Sequence, residues 1–304
     1  MDLPDGWTAG TVHLGGVELR YYRTGDGPPL VMAHGFYENG RCWERLVSDL
    51  ATDYDVVTYD ARGHGRSDAP ASGYDVGSRI ADLVGLVEAL SLADPILLGH
   101  SMGGSTAAWT AATHPDLPRA LVLEDPAGMY GDPELGPAER ARFVRETLRE
   151  WADESTVEES STNDTADEAG WERRVAVANA ECSPEIAEIA REGYPLLGDA
   201  FERITCPTLV LKADADTERR VTDLDIADAL GDGRLVHVPG AGHGVFRSEY
   251  DAAFAEMRAF LRRVCVVETE EGRRGVGRRL RPPATATDRR GRRRRPDSAP
   301  RRRR

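Results

Sequence analysis

The pentapeptide Gly99-His100-Ser101-Met102-Gly103 is the feature that most limits what this chain can fold into. The apolar run "PILL" before it has the length and bulk of a buried strand, and "STAAWTAATH" after it has helical character. A serine in a core strand is ordinarily a small hydroxyl bonded to nearby backbone. This one stands where strand gives way to helix, with glycine two residues to either side. That pattern, G-x-S-x-G between a strand and a helix, lets the backbone turn sharply and leaves Ser101 exposed on a strained corner. The helix that follows aims its N-terminal N–H groups at the same point, where negative charge would develop in a reaction.

The surrounding sequence alternates in the same way. "RCWERLVSDLA" reads as helix, "YDVVTYD" as strand, "SRIADLVGLVEALS" as helix and "ALVLEDP" as strand. The stretch "GTVHLGGVELRYYRTGDGPPLVMAHG", broken by Gly-Gly and "GDGPP", suits strands entering a sheet. Strand–helix alternation predicts a mostly parallel central sheet with helices on both faces. Residues 128–204 break the rhythm. Ala141, Val144, Leu148 and Trp151 fall on one helical face, and Trp171, Val175, Ala178 and Cys182 on another. Between them "DESTVEESSTNDTADEA" reads as an acidic, flexible connector. Alternation resumes with "PTLVLKAD" and "RLVHVPG" and closes with a helix bearing Tyr250, Phe254, Met257 and Leu261. The expected organisation is a core of residues 1–127 and 205–266, a helical insert at 128–204 and an Arg-rich, disordered tail at 267–304.

Charge separates the tail from the body. Residues 272–304 hold 15 Arg against Asp288 and Asp297, so the formal −13 of the chain divides into +13 there and −26 over residues 1–271. Lys212 is the single lysine. A strongly acidic, lysine-poor body fits a salt-rich cytoplasm, where screening weakens self-repulsion. The Arg runs could bind phosphate backbones, but a tail apposed to the acidic body, or an extension with no function, fits their composition better than nucleic-acid recognition. No apolar N-terminal stretch reads as a signal peptide and no run approaches membrane-spanning length, so a cytoplasmic location without membrane contact is expected. Cys42, Cys182, Cys206 and Cys265 are scattered and match no metal or redox spacing.

A serine hydroxyl needs a base to act as a nucleophile, and the base needs an acid to orient it. Of the seven histidines, His243 in "VPGAGHGVF" follows the last predicted strand, in a Gly-rich loop able to return across the sheet edge. His100 adjoins Ser101 on the turn but points elsewhere, and His13, His114 and His237 sit in strand or helix contexts. For the acid, Asp214 and Asp216 after "TLVLK" both qualify by type.

The chain resembles the α/β-hydrolase family. The resemblance is carried by His34-Gly35 in "MAHGFYENG", "DARGHGRSD" at 60–68, "GHSMG", "LKADAD" and "GAGH", in the order serine, acid, histidine, across residues 30–265. It implies an α/β-hydrolase fold with the insert forming a helical cap over the pocket. It points to Asp216, last residue of a G-x-x-D-like turn, as the acid. Ala213 replaces the glycine of that turn, which keeps Asp214 open, and Asp125 after "LVLE" is a third choice because some members carry the acid there. The family pattern also implies an oxyanion hole from the backbone N–H groups of Phe36 and Met102, with His34, Arg62, His64 and Arg66 as scaffold. Tyr37, Trp43, Tyr130 and Trp151 fit ordinary packing better than a substrate cleft.

The expected chemistry is two-step acyl transfer by Ser101, His243 and Asp216, with no metal or organic cofactor, on a carboxylic ester of a small molecule. Serine at the nucleophile position argues against members that use Asp there. Lactonase, thioesterase, C–C hydrolase, aminopeptidase and haloperoxidase-like activities stay open, as does a ligand-binding receptor on the same fold. Neither the oligomeric state nor the substrate is legible.

Overall fold

In the computed structural model the described residues are 3–131, 135–154 and 168–275. Eight strands form one sheet: β1 (Thr8–Leu14), β2 (Val17–Thr24), β3 (Pro29–Ala33), β4 (Asp55–Tyr59), β5 (Ile96–His100), β6 (Ala120–Glu124), β7 (Thr208–Lys212) and β8 (Gly233–His237). Their spatial order is β1-β2-β4-β3-β5-β6-β7-β8. The β1–β2 and β2–β4 pairs are antiparallel and the rest are parallel. The central strands are short apolar runs because both of their faces are covered. Every residue of β4, β5, β6 and β7 is buried.

Helices α1 (Glu44–Leu50), α2 (Val76–Ala89) and α3 (Met102–Thr113) alternate with the strands. Asp75 caps α2 by accepting from Ser78 N–H at 3.0 Å. Helix α3 is rich in Ala and Gly because it lies close against the sheet, packing on β3, β5 and β6. Gly103 shows how close: a Cβ there would lie 2.0 Å from the carbonyl oxygen of Ala33.

Between β6 and β7 the chain builds α4 (Pro137–Glu154), α5 (Glu168–Ala180), α6 (Ala187–Glu192) and α7 (Leu197–Phe201). On α4, Ala141, Val144 and Leu148 are buried and Trp151 is half-buried, and the helix packs along α6. On α5, Ala178 is fully buried while Trp171, Val175 and Cys182 beyond it are half-buried. The last short helix, α7, packs on α3 and so belongs to the layer against the sheet. The connector read at 155–167 lies outside the described residues.

After β7 come α8 (Thr217–Ala227), α9 (Val245–Ser248) and α10 (Tyr250–Gly275). The chain divides at Val264 into two units, Met1–Val264 and Cys265–Arg304. The described part of the second, through Gly275, is helical, so helix extends past the boundary expected at residue 266. The Arg runs from 276 onward lie outside the described residues.

Candidate active site

Ser101 lies between β5 and α3 with φ 49° and ψ −110°, a backbone conformation strained for any residue with a Cβ. The surroundings hold it there. Ser101 N–H donates to Glu124 O at 3.0 Å, and Ala127 N–H donates to Ser101 O at 2.9 Å. The flanking glycines allow the close approach, since a Cβ on Gly99 would lie 2.3 Å from Gly103 O. The side chain of Ser101 is thereby aimed at the loop after β8. His243 Nε2 lies 3.0 Å from Ser101 Oγ.

The acid on His243 is not the one the family turn suggested. His243 Nδ1 donates to Asp125 Oδ2 at 2.5 Å. Asp125 directly follows β6 and has φ 37°, a second non-glycine residue held at positive φ, pinned by donation from its N–H to Leu211 O at 2.8 Å. Asp216, expected as the acid, instead caps α8: its Oδ1 accepts from Arg219 N–H at 2.8 Å. Asp214 is also committed elsewhere. It accepts from Gly240 N–H at 2.8 Å and pairs with Arg220 at 2.5 Å, tying the exit of β7 to the glycine loop that carries His243.

Two nitrogen groups hold Asp125. His243 is on Oδ2, and the Lys212 ammonium forms a close ion pair with Oδ1. Burial pushes the Asp125 carboxyl up, but the His243 hydrogen bond and the Lys212 charge outweigh it and hold it at about 2. Asp125 is therefore an anion through the neutral range, as an acceptor for an imidazole N–H must be.

His100 does not compete for the serine. Its Nδ1 lies 3.1 Å from Glu38 Oε2 and its Nε2 lies 3.2 Å from the His243 carbonyl oxygen. Its ring centroid is 4.8 Å from that of His243. Burial pushes His100 down, but the Glu38 and Glu124 carboxylates outweigh it and hold the ring at about 10. Glu38 in turn is pulled to about 2 against its burial, chiefly by His100. The protonated ring thus donates to the His243 carbonyl and braces the loop that carries the base.

The turn after β3 is braced on all sides. His34 Nε2 accepts from Ala61 N–H at 2.9 Å, so its Nδ1–H donates to Gly35 O at 2.7 Å; burial holds the ring neutral, at about 3. Gly35 O also accepts from Glu38 N–H at 3.2 Å. In a trans peptide the N–H points opposite to the carbonyl, so the Phe36 N–H faces away from these donors. His64 donates to Phe36 O at 2.6 Å. Arg62 grips Asp82 through two 2.6 Å bonds, and Arg66 N–H binds Asp60 at 2.9 Å. These loop residues are scaffold.

The aromatic candidates are packed. Tyr37 meets Trp151 edge-on at 4.8 Å, Trp43 meets His100 at 6.2 Å, and Tyr130 donates its hydroxyl to buried Asp223. A cavity of about 470 Å³ reaches His100 and Gly244, with Trp43, Trp171, Phe246 and Tyr250 in its walls. Among the described residues no cluster of three His, Cys, Asp or Glu side chains is placed to hold a metal.

A family model described as "Alpha/beta hydrolase family" matches residues 30–257. The chain belongs to this family. It is a hydrolase of the α/β-hydrolase fold. Among its relatives, 2-(acetamidomethylene)succinate hydrolase of Mesorhizobium japonicum is 35% identical over 114 residues, 38% of this chain and 41% of that protein, so less than half of that relative is matched. The 2-hydroxy-6-oxo-6-(2'-aminophenyl)hexa-2,4-dienoic acid hydrolase of Metapseudomonas resinovorans is 27% identical over 241 residues, 76% of this chain and 83% of that one. Among solved structures, the enol-lactonase from Burkholderia xenovorans LB400 superposes with a TM-score of 0.71 at 25% identity, covering 83% of this α/β hydrolase and 99% of the lactonase.

Sequence reasoning ranked Asp216 ahead of Asp125, the carboxylate that meets His243, and passed over Lys212 and Glu38. The signal for Lys212 was present: a lone lysine closes an otherwise apolar strand, and a buried ammonium requires a carboxylate beside it.

Proposed function

We propose that this α/β hydrolase cleaves carboxylic esters of small molecules through Ser101, His243 and Asp125. The observation that carries the reading is the continuous chain of contacts from Ser101 Oγ to His243 Nε2 at 3.0 Å and from His243 Nδ1 to Asp125 Oδ2 at 2.5 Å. His243 takes the hydroxyl proton as Ser101 Oγ attacks the ester carbonyl carbon, and Asp125 stabilises the imidazolium. The backbone N–H groups of Phe36 and Met102 are the oxyanion donors in this reading; the bracing of Gly35 O and the start of α3 at Met102 support it. As the tetrahedral intermediate collapses, the alcohol leaves with the proton from His243. Water then attacks the acyl-enzyme by the same route, giving the carboxylic acid and restoring Ser101.

The names of the relatives include a lactonase and hydrolases of substituted succinate and dienoic acids, so lactones and carbon–carbon substrates belong in the same panel as esters. A receptor that only holds a ligand would not need Ser101, His243 and Asp125 in register. A fluorophosphonate should label Ser101, and Ser101→Ala or His243→Ala should abolish both labelling and ester turnover. Labelling that persists at another serine would overturn the assignment.

A further inference from the structure

We propose that Lys212 is a positioning residue for the catalytic acid: its ammonium holds Asp125 Oδ1 so that Oδ2 stays directed at His243. The inference rests on the reading of Ser101, His243 and Asp125 as a triad. Its basis is geometric. In the parallel β6–β7 pair Glu124 lies beside Leu211, so Asp125 and Lys212 are neighbours one step further along. The turn at Asp125, φ 37°, brings its side chain onto Lys212 at the end of β7. The Lys212 ammonium is in contact with Oδ1, and among the described residues Asp125 is the one carboxylate within ion-pair distance of it. Lys212 is 6% exposed, and its other side is closed by the Tyr130 ring, 5.4 Å from Nζ.

Tyr130 is itself fixed by its hydroxyl on Asp223, by Arg219 stacked at 3.4 Å and, through Asp223, by His237 at 2.8 Å. The ammonium therefore has a built seat. A chain that uses arginine almost everywhere else keeps its single lysine at this point. A lysine ammonium is a compact point charge, whereas a planar guanidinium presents a wide fork of donors.

The arrangement has two consequences. With Oδ1 held, the carboxylate cannot rotate away from His243 while the imidazole gains and loses its proton. With its charge partly balanced, Asp125 stabilises the imidazolium less than a lone carboxylate would, which keeps His243 available as a base. The other groups facing His243 are the charged ring of His100 with its partner Glu38, and Glu124; Tyr130 faces Asp125. Of these, Tyr130 is the one that packs against Lys212.

The test uses full-length protein shown to label with fluorophosphonate; failure of that labelling would sink the triad reading itself, separately from the role of Lys212. Lys212→Met should lower kcat by about tenfold to a hundredfold, the scale seen when groups that orient active residues are removed. KM should change less than about twofold, as for an interaction that acts on the reacting groups and not on substrate binding. The acid limb of kcat/KM should move to higher pH, and Lys212→Arg should return the limb toward its original position. Lys212→Met added to Asp125→Asn should have no further effect, since the lysine acts through Asp125. A folded Lys212→Met enzyme with unchanged kcat and an unmoved limb overturns the proposal, as does an additive loss in the double variant. If Lys212→Met does not fold, 15N-lysine labelling gives one ammonium resonance, which Asp125→Asn should shift; an unshifted resonance refutes the pairing.

Discussion

Ser101 and Asp125 are both non-glycine residues at positive φ, 49° and 37°, and both are held there by backbone bonds from neighbouring strands. Strain of this kind persists only where the surroundings impose it. Asp216, by contrast, has the ordinary extended backbone of a helix cap. The two aspartates should therefore respond differently to the same substitution. Asp125→Asn keeps the shape but removes the acceptor that selects the His243 tautomer, and should cut kcat by about 10⁴. Asp216→Asn retains a capping oxygen and should leave kcat within a factor of about two, with stability changed by a few tenths of a kcal/mol. Steady-state kinetics on the two purified variants decide it, and the reverse ranking would return the acid to Asp216. The serine and histidine were legible from sequence because glycines mark their turns. The acid was not, because an aspartate can follow either of two adjacent strands and local pattern does not say which end His243 meets.

At the scale of elements, α3 and the strands beneath it are in backbone contact, and Gly103 is the point of closest approach. A Cβ there would collide with the Ala33 carbonyl at 2.0 Å and with the His34 carbonyl at 2.7 Å, and both belong to backbone that cannot swing aside. His34 O also accepts from Gly103 N–H at 3.1 Å, so the displacement would break that bond. Gly103→Ala should lower stability by about 1–3 kcal/mol, the usual cost of overpacking, and should tilt the N-terminus of α3 away from the oxyanion site. Thermal melting should show the first effect, and slower fluorophosphonate labelling at a temperature where the variant is folded should show the second. Wild-type melting and labelling would mean that α3 has slack the structure does not show. The paired helical faces on α4 and α5 were readable from their spacing. The packing of α7 on α3 was not, because "LGDAF" is too short to carry a period.

Across the whole molecule, buried titratable groups near the site set how stability varies with pH. His34 is held near 3 by burial, against 6.5 when free, so its contribution is complete above pH 6.5 and declines as pH falls from there toward 3. Glu38, held near 2 by His100 against its burial, adds a loss as pH falls from 4.5 toward 2. His100 has the opposite sign. Its folded value near 10 means its contribution is present below pH 6.5 and is lost as pH rises from 6.5 to 10. Each group changes the unfolding free energy by at most about 1.4 kcal/mol per pH unit inside its window. The melting temperature should therefore fall as pH rises from 6.5 toward 10, and His100→Asn should flatten that fall. A wild-type profile level from pH 6.5 to 9 would contradict the charged state of His100.

The sequence by itself determined the elements, the parallel alternation, the serine corner and the histidine loop. Each of these depends on residues adjacent in the chain: apolar spacing, turn glycines and a strand–helix junction. Tertiary structure alone decided which carboxylate meets His243. His243 and Asp125 are 118 residues apart, and they meet because β6 and β7 end side by side at the same edge of the sheet, where the β8 loop returns. The seat of Lys212 on Asp125 follows from the same register, since one step of slippage would turn Lys212 to the opposite face. Strand order and register are sums over many distant contacts, and no short window of sequence contains them.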